Sequence, residues 1–230
     1  MGFDGFPREF PDFLLSLRYI NTLELLPGNK VRYRELITGP LTELFYGLAP
    51  LALSVSGTLE TKPSKCVSTM YTDMRFSRET PLKEYMYIRF REQPRERDVL
   101  GLYFDMGRES YSCGIRIYGQ TSAGMDRIRN AALARSVDFA RELERADALG
   151  MVIFGERFKK DHFPGVDDRG GRGDRLLKDF LNMRNFHIGR DRAVGESVFG
   201  PGLMDEIAEI FCGAKGLFWL LKEALYAQGR

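Results

Sequence analysis

Apolar side chains recur at intervals of three and four at Phe10, Phe13, Leu14 and Leu17, the spacing of a short amphipathic helix. Asp12 sits near its start, where a carboxylate favours the helix dipole. After the Pro27-Gly28 break the same spacing returns from Val31 to Leu53, through Tyr33, Leu36, Ile37, Leu41, Leu44, Leu48 and Leu51. Gly39-Pro40 interrupts it, so the stretch reads as two helices or one kinked helix.

Between Tyr85 and Tyr118 the period falls to two. Tyr85 to Arg91, Val99 to Met106 and Tyr111 to Tyr118 each alternate, and the short polar segments between them predict an antiparallel meander. Met86, Ile88, Phe90, Leu100, Leu102, Phe104, Cys113, Ile115 and Ile117 then make the core face. The opposite face carries Tyr87, Arg89, Arg91, Tyr103, Asp105, Arg116 and Tyr118. A face that mixes arginine with tyrosine is either solvated and salt-bridged or a binding surface.

Thr121 to Leu149 reads as a helix capped by Thr121 or Ser122, with Ile128, Ala132, Val137, Phe139, Ala140 and Leu143 facing the sheet. Met151 to Phe158 resembles a further strand, and 159–174 is a glycine- and charge-rich loop long enough for mobility. Asp174 to Met183 has helical spacing. Leu203 to Tyr226 is amphipathic through Leu203, Ile207, Ile210, Phe211, Leu217, Phe218, Leu221 and Leu225, with Gly213 and Gly216 weakening its middle. The sum is one α+β domain over residues 1–230: a central antiparallel sheet at about residues 85–118, packed by helices, with helical segments at both termini.

Composition narrows the function classes. The 230 residues carry 34 basic and 32 acidic side chains, so no whole-protein field favours nucleic acid or an anionic membrane. Three cysteines, Cys66, Cys113 and Cys212, lie far apart with no Cys-x-x-Cys spacing, and are expected to be buried thiols in a reducing compartment. The segment MGFDGFPREF has no apolar run of signal-peptide length, and no later stretch is expected to reach the ~20 apolar residues of a membrane span. The chain therefore reads as cytoplasmic.

Candidate chemistry concentrates between Arg75 and Arg97, where seven basic residues face four acidic ones. Guanidinium forks suit phosphate or carboxylate, and nearby hydroxyls add donors. Arg75, Ser77, Lys83, Arg89 and Arg116 are thus the candidate ligand-binding residues for a small anion. The competing structural account has Arg75 bracing its loop while Arg89, Arg91 and Arg116 pair with Asp105 and glutamates. The interleaved tyrosines also permit single-stranded nucleic acid, against which the near-neutral charge counts.

No pattern names a reaction. His162, His187, Asp161, Asp167 and Asp168 show no familiar metal-ligand spacing, and no metal is expected. Nucleophile-elbow, Walker and dinucleotide-binding spacings are absent as well, so catalytic residues and cofactors stay unassigned.

The run Arg75-Phe76-Ser77 through Thr80-Pro81 to Lys83 resembles the R-F-S-K-x-x-x-P-Y-K signature of domain of unknown function family 2461, a mostly bacterial family of conserved hypothetical proteins. Here the spacing differs slightly and Leu82 replaces the aromatic. Phe13-Leu14, Asn29-Lys30-x-x-Tyr33, Gly114-Ile115, Ile128-Arg129, the stretch Gly155 to Lys160, His162-Phe163-Pro164 and Leu176-Leu177-Lys178 follow in the family's order. Its Asn-Asn-x-Glu-Trp-Phe stretch is replaced by Asn21 to Leu26. The resemblance implies the extent of the domain and no activity.

Two readings of function follow: a cytoplasmic module for a small phosphate- or carboxylate-bearing ligand, or a non-catalytic interaction module using the C-terminal helix and the 159–174 loop. That helix is also the expected route to a homo-oligomer.

Overall fold

The alternating segments form three strands of a five-stranded antiparallel sheet: β1 (Met86–Arg91), β2 (Val99–Met106) and β3 (Ser110–Tyr118). The structure, a computed structural model, describes residues 2–73, 80–93, 96–166 and 168–226. β1 buries Met86, Ile88 and Phe90 and leaves Tyr87, Arg89 and Arg91 half-buried, as the alternation predicts. Two further strands, β4 (Val152–Phe154) and β5 (His187–Ala193), complete the order β1-β2-β3-β5-β4.

β4 shortens the strand expected at 151–158, because Gly155 turns the chain with φ +141°. β5 is invisible to the periodicity: its sequence HIGRDRA is charged on both faces. Gly114 lets β5 approach β3, since a Cβ there would collide with the Ile188 carbonyl.

The fold is α+β and about half helical. By packing it comprises two compact units: Met1–Phe90, Tyr103–Cys113 and Asp191–Ala208 form the first, and Arg91–Leu102, Gly114–Arg190 and Glu209–Arg230 the second.

In the first unit, α1 (Phe10–Ile20) buries Phe10, Phe13, Leu14 and Leu17. α2 (Leu26–Tyr33) runs through a π turn at Arg34–Thr38 into α3 (Gly39–Val55). Pro27-Gly28 does not break the helix; it occupies the first turn of α2, where a missing N–H costs nothing. At Gly39-Pro40 the helix continues. Pro40 brings no N–H, and the ladder widens before it, with Gly39 N–H donating to the Arg34 carbonyl. Leu41, Leu44, Phe45, Leu48, Ala52 and Val55 are buried, and Phe45 stacks on Phe90 with centroids 5.5 Å apart.

This joined run, Leu26–Val55, is long and apolar enough to cross a membrane, with a mean hydropathy of 1.3 over its best window. That corrects the expectation of no such stretch: the helix runs on through Gly39-Pro40. The core helix of a soluble fold meets the same criterion.

In the second unit, the helix expected over Thr121 to Leu149 is two: α5 (Ser122–Ala134) and α6 (Ser136–Ala148), separated at Arg135 with φ −126° and ψ 45°. Val137 points out and is 77% exposed, against the expected inward position, while Phe139, Ala140 and Leu143 are buried as expected. Thr121 caps α5, its hydroxyl accepting from Gly124 N–H at 2.9 Å. α7 (Arg172–Leu181) follows.

The segment leading into α7 is tethered through Asn182, which accepts from His162 N–H at 2.9 Å and donates to Asp161 at 3.0 Å. Lys178 holds Asp168 at 2.9 Å.

The C-terminal segment divides at Ala214 into α8 (Gly202–Gly213) and α9 (Lys215–Tyr226). Every residue of its predicted apolar stripe is buried, from Leu203 to Leu225. Cys66 and Cys113 are buried thiols, whereas Cys212 is exposed, a correction to the expectation for all three.

Candidate functional site

Lys83 owes its position to the buried side-chain amide of Asn21, 61 residues before Leu82 in sequence. The Asn21 side chain donates to the Leu82 carbonyl at 2.8 Å and accepts from the Leu82 N–H at 2.9 Å. Thr72 N–H reaches the Pro81 carbonyl at 3.0 Å, and Lys83 N–H reaches the Met70 carbonyl at 2.9 Å. These bonds make a short antiparallel bridge of Tyr71 with Leu82 and deliver the chain into β1 in fixed register.

With that register set, Lys83 and Arg89 converge on one aromatic ring. The Lys83 ammonium lies 5.4 Å from the Tyr87 ring centroid and the Arg89 guanidinium 3.7 Å from it, both within cation–π range. Tyr85 stacks beside Tyr87, centroids 6.4 Å apart.

Lys83 also points at the Thr69 hydroxyl at 3.4 Å, and among the described residues no carboxylate pairs with it. Its pKa is lowered, first by burial and then by the charge of Arg89. Two cations are thus held close where water is partly excluded.

Arg89 meets Asp105 with Nε 3.7 Å from Oδ1, longer than a charge-assisted hydrogen bond of about 2.7–2.9 Å. The competing structural account is right about this pair, and the pair leaves Lys83 out. Next to Asp105 opens a cavity of about 190 Å³, lined by Tyr85, Asp105, Gly107, Ser110, Ser112 and Asp191. The Ser112 hydroxyl is held by Tyr103, oxygen to oxygen 2.8 Å.

Of the residues expected to bind a ligand, Lys83 and Arg89 come together. Arg75 and Ser77 lie outside the described residues, as does Asp167. Arg116 is half-buried between Ile115 and Ile117 on β3 and belongs to the second unit. Sequence reasoning missed Asn21, Thr69 and Asp191. Only Asn21 left a signal, as the asparagine retained where the family's aromatic stretch is lost.

The second unit holds two larger cavities. One, of about 350 Å³, has mostly apolar walls and a rim whose charges are matched, Arg157 with Asp179 at 2.8 Å and Arg172 with Asp147. The other, of about 330 Å³, opens between Arg129 and Arg184, paired with Asp126 at 2.9 Å and Glu156 at 3.4 Å. Matched charges give a ligand less to satisfy, which sets the Lys83 corner apart.

His162 stacks on Phe158 and His187 on Phe154, at 4.1 and 5.0 Å. Among the described residues no group of three or more His, Cys, Asp or Glu is placed to hold a metal ion.

An α+β fold on a five-stranded antiparallel sheet, with helices at both ends, defines the architectural class. The particular family follows from the sequence: the profile of the conserved hypothetical proteins DUF2461 matches residues 9–219, and the chain belongs to that family. No curated protein matches the chain.

Proposed function

We propose that the chain binds a small phosphate- or carboxylate-bearing ligand at Lys83, Tyr87 and Arg89. The observation that carries this reading is the convergence of two cations on one ring, with Lys83 lacking a carboxylate partner among the described residues. An anion would relieve the repulsion between them and recover part of the desolvation cost of Lys83. The reading is of binding alone. A cytoplasmic setting accords with three thiols that form no disulfide.

A thermal-shift screen with inorganic phosphate, nucleotides and organic acids tests it. At a hundredfold excess over Kd a ligand adds about 2.7 kcal/mol, or roughly 5–10 °C for a chain of this size. Lys83→Ala and Arg89→Ala should each remove the shift. No stabilisation of the wild-type protein by any of these anions would leave the reading without support.

The interaction reading through the C-terminal helix draws less support, because the apolar stripe that would dock a partner or a second copy is spent inside the chain.

A further inference from the structure

The cationic corner and the neighbouring cavity carry opposite charges. Asp105 belongs to both: it lies 3.7 Å from Arg89 and lines the 190 Å³ cavity. Tyr85 also belongs to both, walling the cavity while its ring stacks on Tyr87 beneath Arg89. Asp191 enters from β5 and, among the described residues, has no ion pair.

Asp191 is exposed, and a simple anion placed against Lys83 and Arg89 would sit close to Asp105 while using neither carboxylate of the cavity. A ligand with an ammonium as well as an anionic group satisfies both halves. The ammonium finds carboxylates in Asp105 and Asp191, hydroxyls in Ser110 and Ser112, and the face of Tyr85, which is 53% exposed. The cavity falls below the ~300–1,000 Å³ of drug-sized sites, so the ligand has few heavy atoms.

Resting on the anion reading above, we propose that this site takes a small zwitterion of the amino-acid type, its carboxylate on Lys83 and Arg89 and its ammonium in the cavity of Asp105 and Asp191. Selectivity comes from the cavity: the corner accepts any small anion, and the carboxylates select the one that carries an amine. A charged hydrogen bond contributes about 1.5–3 kcal/mol. The amine should therefore tighten binding by about 10- to 100-fold.

Titration calorimetry on the full chain tests this with γ-aminobutyrate against butyrate, and phosphoethanolamine against inorganic phosphate. The expected result is tighter binding of each amine-bearing member of at least about tenfold. Asp191→Asn should shrink the ratio within each pair. Equal affinity for the two members of both pairs in the wild-type protein overturns the zwitterion proposal and leaves the anion reading standing. An unchanged ratio in Asp191→Asn also overturns it. Binding of neither phosphate, butyrate nor their amine-bearing partners overturns both readings.

Discussion

The side-chain amide of Asn21 holds both backbone polar groups of Leu82, at 2.8 and 2.9 Å, across 61 residues of sequence. Asn21 is only 4% exposed, so neither bond can be replaced cheaply by water. Asn21→Ala should cost about 2 kcal/mol by urea denaturation, since it leaves a buried donor and acceptor without partners. Thr22→Ala, next to it and exposed, should cost under about 0.5 kcal/mol. Equal costs for the two variants would refute the clamp.

Lys83 gives the site a pH signature. Its folded pKa lies below the ordinary lysine value because burial and then Arg89 disfavour the ammonium. For a base so shifted, the stability contribution is present above the unfolded pKa and is lost as pH falls through the folded one. At neutral pH the charged group is therefore a cost that an anion offsets. Affinity for sulfate, whose own charge is constant, should fall as pH rises, and at a lower pH than the loss of an ordinary lysine's charge would set. Lys83→Arg should flatten that fall, and a flat wild-type profile would count against the site.

Tyr111 sets an alkaline limit. Burial, then its hydrogen bond to Glu206 at 2.5 Å, push the phenol up to about 12 from 10.0. An acid whose folded pKa is raised contributes stability that is complete below its unfolded value and is lost as pH rises through the folded one. Melting temperature should fall between pH 10 and about 12, and Tyr111→Phe should make that fall shallower. An identical slope in both proteins would show that other groups govern it.

Arg129 is a test of geometry rather than charge. Its guanidinium donates to the carbonyls of Leu181 and Met183 at 3.1 and 2.6 Å and to Asp126 at 2.9 Å, while lying 5.2 Å from the Phe158 ring centroid. A lysine keeps the charge and loses the planar fork. Arg129→Lys should destabilise by roughly 1–3 kcal/mol in chemical denaturation, and a neutral result would reduce the residue to a surface cation.

What was legible in the sequence followed period and what was not followed pairing. The alternation of Met86, Ile88 and Phe90 with Tyr87, Arg89 and Arg91 gave β1 its two faces, and the buried stripe of α8 and α9 was equally plain. β5 escaped because Arg190, 7% exposed, is buried by pairing with Glu209 at 3.2 Å, which hydrophobic period cannot express. Val137 was misplaced because helical spacing puts it on the face opposite Ile128 and Phe139, which are the buried residues. Within the site, Lys83 and Arg89 could be nominated by type, but Asp191 reaches the cavity from a strand 102 residues beyond Arg89, a proximity only the fold creates.

The late position of β5 also bears on synthesis. β4 pairs antiparallel with β5, through Val152 with Gly189 and Phe154 with His187. While the nascent chain ends before residue 187, β4 has no strand to pair with and the β3 edge that receives β5 is bare. The sheet cannot close progressively from the N-terminus. Until β5 is made, the β3 edge stays open to wrong pairing.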